Sequence, residues 1–183
     1  MTKRAGAALL VVLATACSGG SATPVATGPS PSPSNTVPGL ISGTAAVPAD
    51  YLAGVDKICA TSVASLRQRG PAPLAPTDPR QLTAKQLRGA ASYLQRGADI
   101  QQHTAVAIAR LAKPTAGVDA WAVYVTAVGQ YADGAGAEAA AAKAGDVPRF
   151  LAAAERLLRA QRAAQESGVT VGFGAGTACA RLF

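Results

Sequence analysis

Few side chains in this sequence could do chemistry, and their spacing narrows the field further. Of 183 residues one is a histidine and three are cysteines. His103 follows Gln101 by two positions, which turns it away from the apolar face of its segment. With no second histidine and no close cysteine pair, the sequence offers no ligand set for zinc, copper or haem. No serine has an obvious His–Asp partner set, because His103 would have to serve alone. Asp50 with Asp56, and Asp133 with Glu138, fall at spacings that do not share one helix face. Gly172-Phe173-Gly174-Ala175-Gly176-Thr177 looks like a phosphate loop at first sight. It lacks the final step of the dinucleotide fingerprint, a preceding strand and a Walker lysine, so it reads as a return segment. The sequence therefore assigns no catalytic residue, no metal site and no cofactor.

Cys17 carries the clearest chemical signal. Lys3 and Arg4 precede an apolar run, Ala5 to Leu13, of about nine residues, too short for a membrane span of about 20. Ala14-Thr15-Ala16 then lead into Cys17-Ser18-Gly19. This pattern reads as a lipoprotein signal over 1–16, with Cys17 lipidated and made the new N-terminus. The same small residues suit ordinary signal peptidase, and release of a secreted protein is the alternative. Either route leads out of the cytoplasm, and lipidation places the protein on the outer face of the cell membrane. It also leaves Cys59 and Cys179 as an even pair, free to bridge in an oxidising compartment.

After Cys17 the chain is Ser, Thr, Pro, Gly and Ala, including Pro29-Ser30-Pro31-Ser32-Pro33-Ser34. Such a stretch buries too little apolar surface to offset its ordering entropy, so 17–47 is expected to be a disordered tether. The remaining residues, 48–183, make one domain of ordinary size. Formal charge is +7 and falls to about +5 once Lys3 and Arg4 leave with the leader. That surplus reads first as a solvated, arginine-rich surface, and in the alternative as an attraction to anionic phospholipids or acidic wall polymers. No dense basic stripe with interleaved aromatics points to nucleic acid.

Helical periodicity dominates the domain. A first helix spans about Ala49 to Arg69, with Tyr51, Val55, Ile58, Ser62 and Leu66 on one face and Gly70-Pro71 as its stop. Asp78 as N-cap and Pro79 at the first position open a second, which runs to about Ala112 with a break near Thr83 as its weak point. Leu87, Ala91, Leu94, Ala98, Gln101, Ala105 and Ile108 form its inner face. The third covers Val118 to Ala144, buried along Trp121, Val125, Val128, Ala132, Ala135, Ala139 and Ala142. Gly145 stops it, Asp146 caps the fourth, and Gly168 closes that one after Ser167. Short connections between four such helices predict an all-α, antiparallel up-down four-helix bundle, closed by Cys59–Cys179. Trp121, Tyr124 and Tyr131, with Phe173, form the one aromatic cluster. They fill the core or, in the alternative, line a groove above roughly 300 Å³ for a small apolar or lipid ligand.

Several of these features recur together: the leader, the tether, Ile58-Cys59-Ala60, Asp78-Pro79, Leu111-Ala112-Lys113-Pro114, Trp121, Ala144-Gly145-Asp146 and the closing Ala178-Cys179. In this the chain resembles the small Ala-rich lipoproteins of actinobacteria, mycobacteria included. It departs from them in the longer, Gly-rich path between Gly168 and Cys179. The resemblance implies a fold and an envelope location but no activity. The expectation is an anchored, non-catalytic interaction or scaffold module whose partner is an envelope protein or an anionic polymer.

Overall fold

Among the described residues, four long helices and one short one follow from local signals that can be traced residue by residue. The computed structural model describes residues 46–73 and 81–183. Cys17, the leader and most of the tether, and the Asp78-Pro79 pair all lie outside the described residues. Helix α1 (Ala49–Gln68) ends where Gly70 takes a φ of 73°. Helix α2 (Ala84–Ala109) is capped by Thr83, whose hydroxyl accepts from the Gln86 N–H while the Gln86 side chain accepts from Thr83 N–H. This reciprocal box satisfies two donors that a helix start otherwise leaves unpaired. Asp78 lies outside the described residues; α2 itself is capped at Thr83, the position expected as a break, and its C-terminus falls at Ala109 rather than Ala112.

Helix α3 (Val118–Ala144) runs between two left-handed glycines, Gly117 and Gly145. Asp146 then accepts from the Arg149 N–H at 3.0 Å and opens α4 (Val147–Val171), as the sequence predicts. Gly168 is not its stop. The helix continues one further turn to Gly172, whose φ of 114° suits a residue without a Cβ. Helix α5 (Ala178–Leu182), absent from the sequence reading, starts where Thr177 accepts from Ala180 N–H. Together the longer α4 and the added α5 carry the chain from Gly168 to Cys179.

The fold is all-helical among the described residues. Helix α3 packs along both α2 and α4, whereas α1 meets chiefly α2 and α5. The core divides into two clusters. One gathers Val55, Cys59, Ile108, Trp121, Tyr124, Phe173 and Phe183 around the bridge. The other joins Leu87, Tyr93 and Leu94 to alanines of α3 and to Phe150. Val47, the last position assigned to the tether, is buried in the first cluster. Small faces let α3 and α4 close tightly: a Cβ on Gly134 would lie 3.2 Å from Leu157 Cα.

Cys59 and Cys179 are bonded across a sequence separation of 120, as predicted. Beside them Asp56 accepts from the Cys179 N–H at 2.9 Å, so α5 is tied to α1 twice. Closing a loop of that length removes chain entropy from the unfolded state, about 5 kcal/mol in the simplest treatment. Replacing both cysteines with serine is expected to lower the unfolding free energy in urea by about 2–5 kcal/mol. An unchanged urea midpoint would show that the bridge does not stabilise the fold.

Candidate functional site

Two concavities lie between helices, and one residue lining each has a buried side-chain atom without a hydrogen-bond partner. The first is a wide cleft of about 350 Å³ between α1 and α2, lined by Ser65, Gln68, Arg69, Arg96, Asp99 and Ile100. Arg69, just past the end of α1, crosses to α2. Its Nη1 donates to the Tyr93 carbonyl at 3.1 Å, and its guanidinium stacks 4.5 Å from the Tyr93 ring centroid. Tyr93 answers by donating its hydroxyl to the Gly70 carbonyl at 3.2 Å. Gly97 makes this possible, because a Cβ there would collide with Arg69 Nη1.

That arrangement leaves Arg69 Nε buried and unpaired. Burial holds the guanidinium below its ordinary pKa; Tyr93 and Tyr131 act against this, and the Arg96 charge adds to it. Asp99 is the one carboxylate lining the cleft, and its Oδ1 already accepts from Gln95 at 2.8 Å. Two cations and one carboxylate therefore share the concavity, a surplus that favours an anion.

The second concavity, about 270 Å³ and narrower, lies between α4 and the 173–183 segment, with Tyr124 of α3 as a wall. Tyr124 is 1% exposed and its hydroxyl has no partner. Burial, and then the nearby Asp56 charge, raise its pKa well above the usual phenol value. The ring packs 5.3 Å from Phe173 and 6.3 Å from Phe183. Gln165 and Gln161 both donate to the Phe183 carbonyl and hold that residue in place.

Of the aromatic residues that the sequence singles out, only Tyr124 and Phe173 line this cavity. Trp121 packs edge-on against Tyr51, centroids 5.1 Å apart, and Tyr51 donates to the Ala112 carbonyl at 2.7 Å. Tyr131 meets Phe183 edge-on at 5.3 Å, and its hydroxyl is pushed up to about 12 by burial and by Glu138, with Arg69 opposing. These two rings are core. The cavity is also smaller than the groove expected from the sequence. His103 is exposed, with Nδ1 2.7 Å from the Asp99 carbonyl oxygen. Among the described residues no three His, Cys, Asp or Glu side chains gather as a metal site requires, and no helix is long and apolar enough to cross a membrane.

Sequence reasoning missed Arg69, Tyr93 and Arg96. The available signal was Tyr93 and Gly97 four residues apart on one helix face, with Arg96 beside them. Asp56, set aside by its spacing from Asp50, accepts from the Cys179 N–H and so holds α5. No protein family, curated protein or solved structure matches this chain.

Glu138, half-buried on α3, has its carboxyl pushed up to about 7 by burial. Its ordinary value is 4.5, so as pH rises from about 4.5 to about 7 the unfolded chain releases the proton first. Stability is expected to fall across that window and stay lower above it. Urea midpoints at pH 5 and pH 8 check this: Glu138→Gln should flatten the decline and make the protein more stable at pH 8. An equal decline in the variant would assign the effect to another group.

Proposed function

We propose that this protein is an extracytoplasmic helical module, anchored through lipidated Cys17, that acts by binding an anionic polymer of the cell envelope rather than by catalysis. Release as a secreted protein remains the alternative route for the same domain. The observation that carries the reading is the Arg69–Arg96 cleft, where two guanidinium groups face one already engaged carboxylate. Arginine suits this role because its planar fork can pair with a phosphate or carboxylate through two parallel hydrogen bonds. The disulfide supports the location, since such bonds persist outside the reducing cytoplasm. The resemblance to small Ala-rich actinobacterial lipoproteins agrees with it.

In this reading the long helices form an antiparallel up-down bundle. The contacts between α1 and α2 favour that order: Tyr51 meets Ala112, Ser62 meets Thr104 and Arg69 meets Tyr93, so one chain direction rises as the other falls. The cleft then opens at the end of α1 far from the residues that join the tether, which presents it away from the membrane. A second reading, a small apolar ligand held between helices, is favoured by the cavity beside Tyr124.

Binding of poly(glycerol phosphate) to the full chain tests the first reading. Removing a charge-assisted hydrogen bond is worth about 1.5–3 kcal/mol, so Arg69→Gln and Arg96→Gln should each weaken binding about tenfold or more. Gly97→Ala is the sharper variant. It improves helix propensity by about 1 kcal/mol while displacing the Arg69 guanidinium, so affinity should fall with the fold intact. Polymer binding that is absent in the parent protein, or indifferent to all three substitutions, would sink the reading.

A further inference from the structure

Net charge is distributed very unevenly along this chain. Residues 57–98 hold seven of the lysines and arginines against one acidic residue, Asp78, and so carry six of the seven net positive charges. The fold keeps the described members of this stretch together. Arg69, just past the end of α1, sits against Tyr93 and Gly97 of α2, and Arg96 lines the same cleft. On α2 the exposed side chains Lys85, Arg88 and Arg96 follow at spacings of three and eight residues. At 3.6 residues per turn such spacings share one side of a helix, here over about 16 Å of its length. Residues 86–95 contain no Asp or Glu, so no carboxylate of that helix interrupts the series.

Two of these cations are seated on the protein. Arg69 lies over Gly97, and Arg88 lies over Gly145 at the turn from α3 to α4; a Cβ on either glycine would collide with the guanidinium Nη1. A long side chain that is only solvated pays a large ordering cost when an anion pairs with it, and a seated one pays less. The negative end of the α3 dipole helps to hold Arg88 at its place. Arg88 nevertheless stays exposed and can take a partner.

This placement restricts the partner. A single small anion would reach only the cleft, whereas a linear chain of repeated charges can engage cations set along a helix and accumulate their contributions. Nucleic acid would add base stacking, and the only aromatic residue between 57 and 98, Tyr93, is buried against Arg69. We propose that the Arg69–Arg96 cleft is one end of a longer track, continued along α2 through Arg88 and Lys85, that binds a linear polyanion through several consecutive charges at once. The proposal rests on the anion-binding reading above and extends it from one cleft to a multi-charge contact.

Titration of the full chain with poly(glycerol phosphate) at several salt concentrations tests it. Each polymer charge that a cation neutralises releases counterions, so log affinity should fall against log salt with a slope of about three for four contacts. Lys85→Gln and Arg88→Gln should each lower that slope by about one and weaken binding about two- to fivefold. Arg162→Gln, which removes the same charge from an exposed position on α4, should leave the slope unchanged. Glycerol 3-phosphate, which fills only the cleft, should be indifferent to Lys85→Gln and Arg88→Gln. Polymer binding unmoved by those two substitutions but weakened by Arg69→Gln would overturn the track and leave the cleft reading standing. Equal losses in Arg162→Gln would do the same, because the attraction would then be one of net charge alone. Phosphatidylglycerol vesicles bound more tightly than the polymer through the same residues would overturn the assignment to a polymer. No polymer binding by the parent protein would overturn track and cleft together.

Discussion

The join between α1 and α5 is the constraint on which the other features rest. Helices α2, α3 and α4 pack consecutively along their lengths, but α1 meets mainly α2 and the short α5. Without the Cys59–Cys179 bond and the Asp56 hydrogen bond beside it, α5 would be a five-residue helix with little of its own to hold it. Its neighbour Phe183 is the edge partner of both Tyr124 and Tyr131. Losing α5 would therefore open the aromatic cluster and remove one wall of the cavity. The bridge thus acts on the native packing as well as on the entropy of the unfolded chain.

Alanine-lined faces explain why this tie matters. Small side chains allow the approach seen at Gly134 and Leu157, yet each buries little area, and hydrophobic stabilisation scales with area. The aromatic residues compensate by concentrating burial at one end, where Tyr51, Trp121, Tyr124, Phe173 and Phe183 form a continuous series of ring contacts. Toward the end of α1 the compensation is polar instead. Arg69 donates to the Tyr93 carbonyl across the α1–α2 seam, the Tyr93 hydroxyl donates back to the Gly70 carbonyl, and the cation stacks on the ring. Such a contact depends on geometry more than area, and so it depends on Gly97.

The helical class, the cysteine pair and most inner-face residues were legible because apolar periodicity and cysteine parity are local, countable signals. Boundaries were less so where two valid signals competed. The break expected near Thr83 proves to be a helix start, marked by the reciprocal Thr83–Gln86 bonds. Gly168 and Gly172 were both possible stops. Only packing distinguishes them: Gly168 lies beneath the Tyr124 and Phe173 rings within α4, whereas Gly172 takes the left-handed turn. Helix α5 was hidden by its length and the glycines before it. The Arg69–Tyr93 contact was hidden because it joins residues 24 apart in the chain across two helices, and periodicity describes one helix at a time.

Both concavities share a construction that bears on how they should be read. In each, a glycine on a helix face, Gly97 or Gly168, leaves room for a large side chain from elsewhere, Arg69 or Tyr124. In each, that side chain contributes an unpaired buried atom. Among the described residues only three side-chain atoms are buried without a hydrogen-bond partner, and Arg69 Nε and Tyr124 Oη are two of them. Native interiors pair nearly all such groups. Arg69 lines the cleft between α1 and α2, and Tyr124 lines the one between α4 and the 173–183 segment. Each of these two residues thus combines a close approach over a helix glycine with a polar atom that the interior leaves unsatisfied.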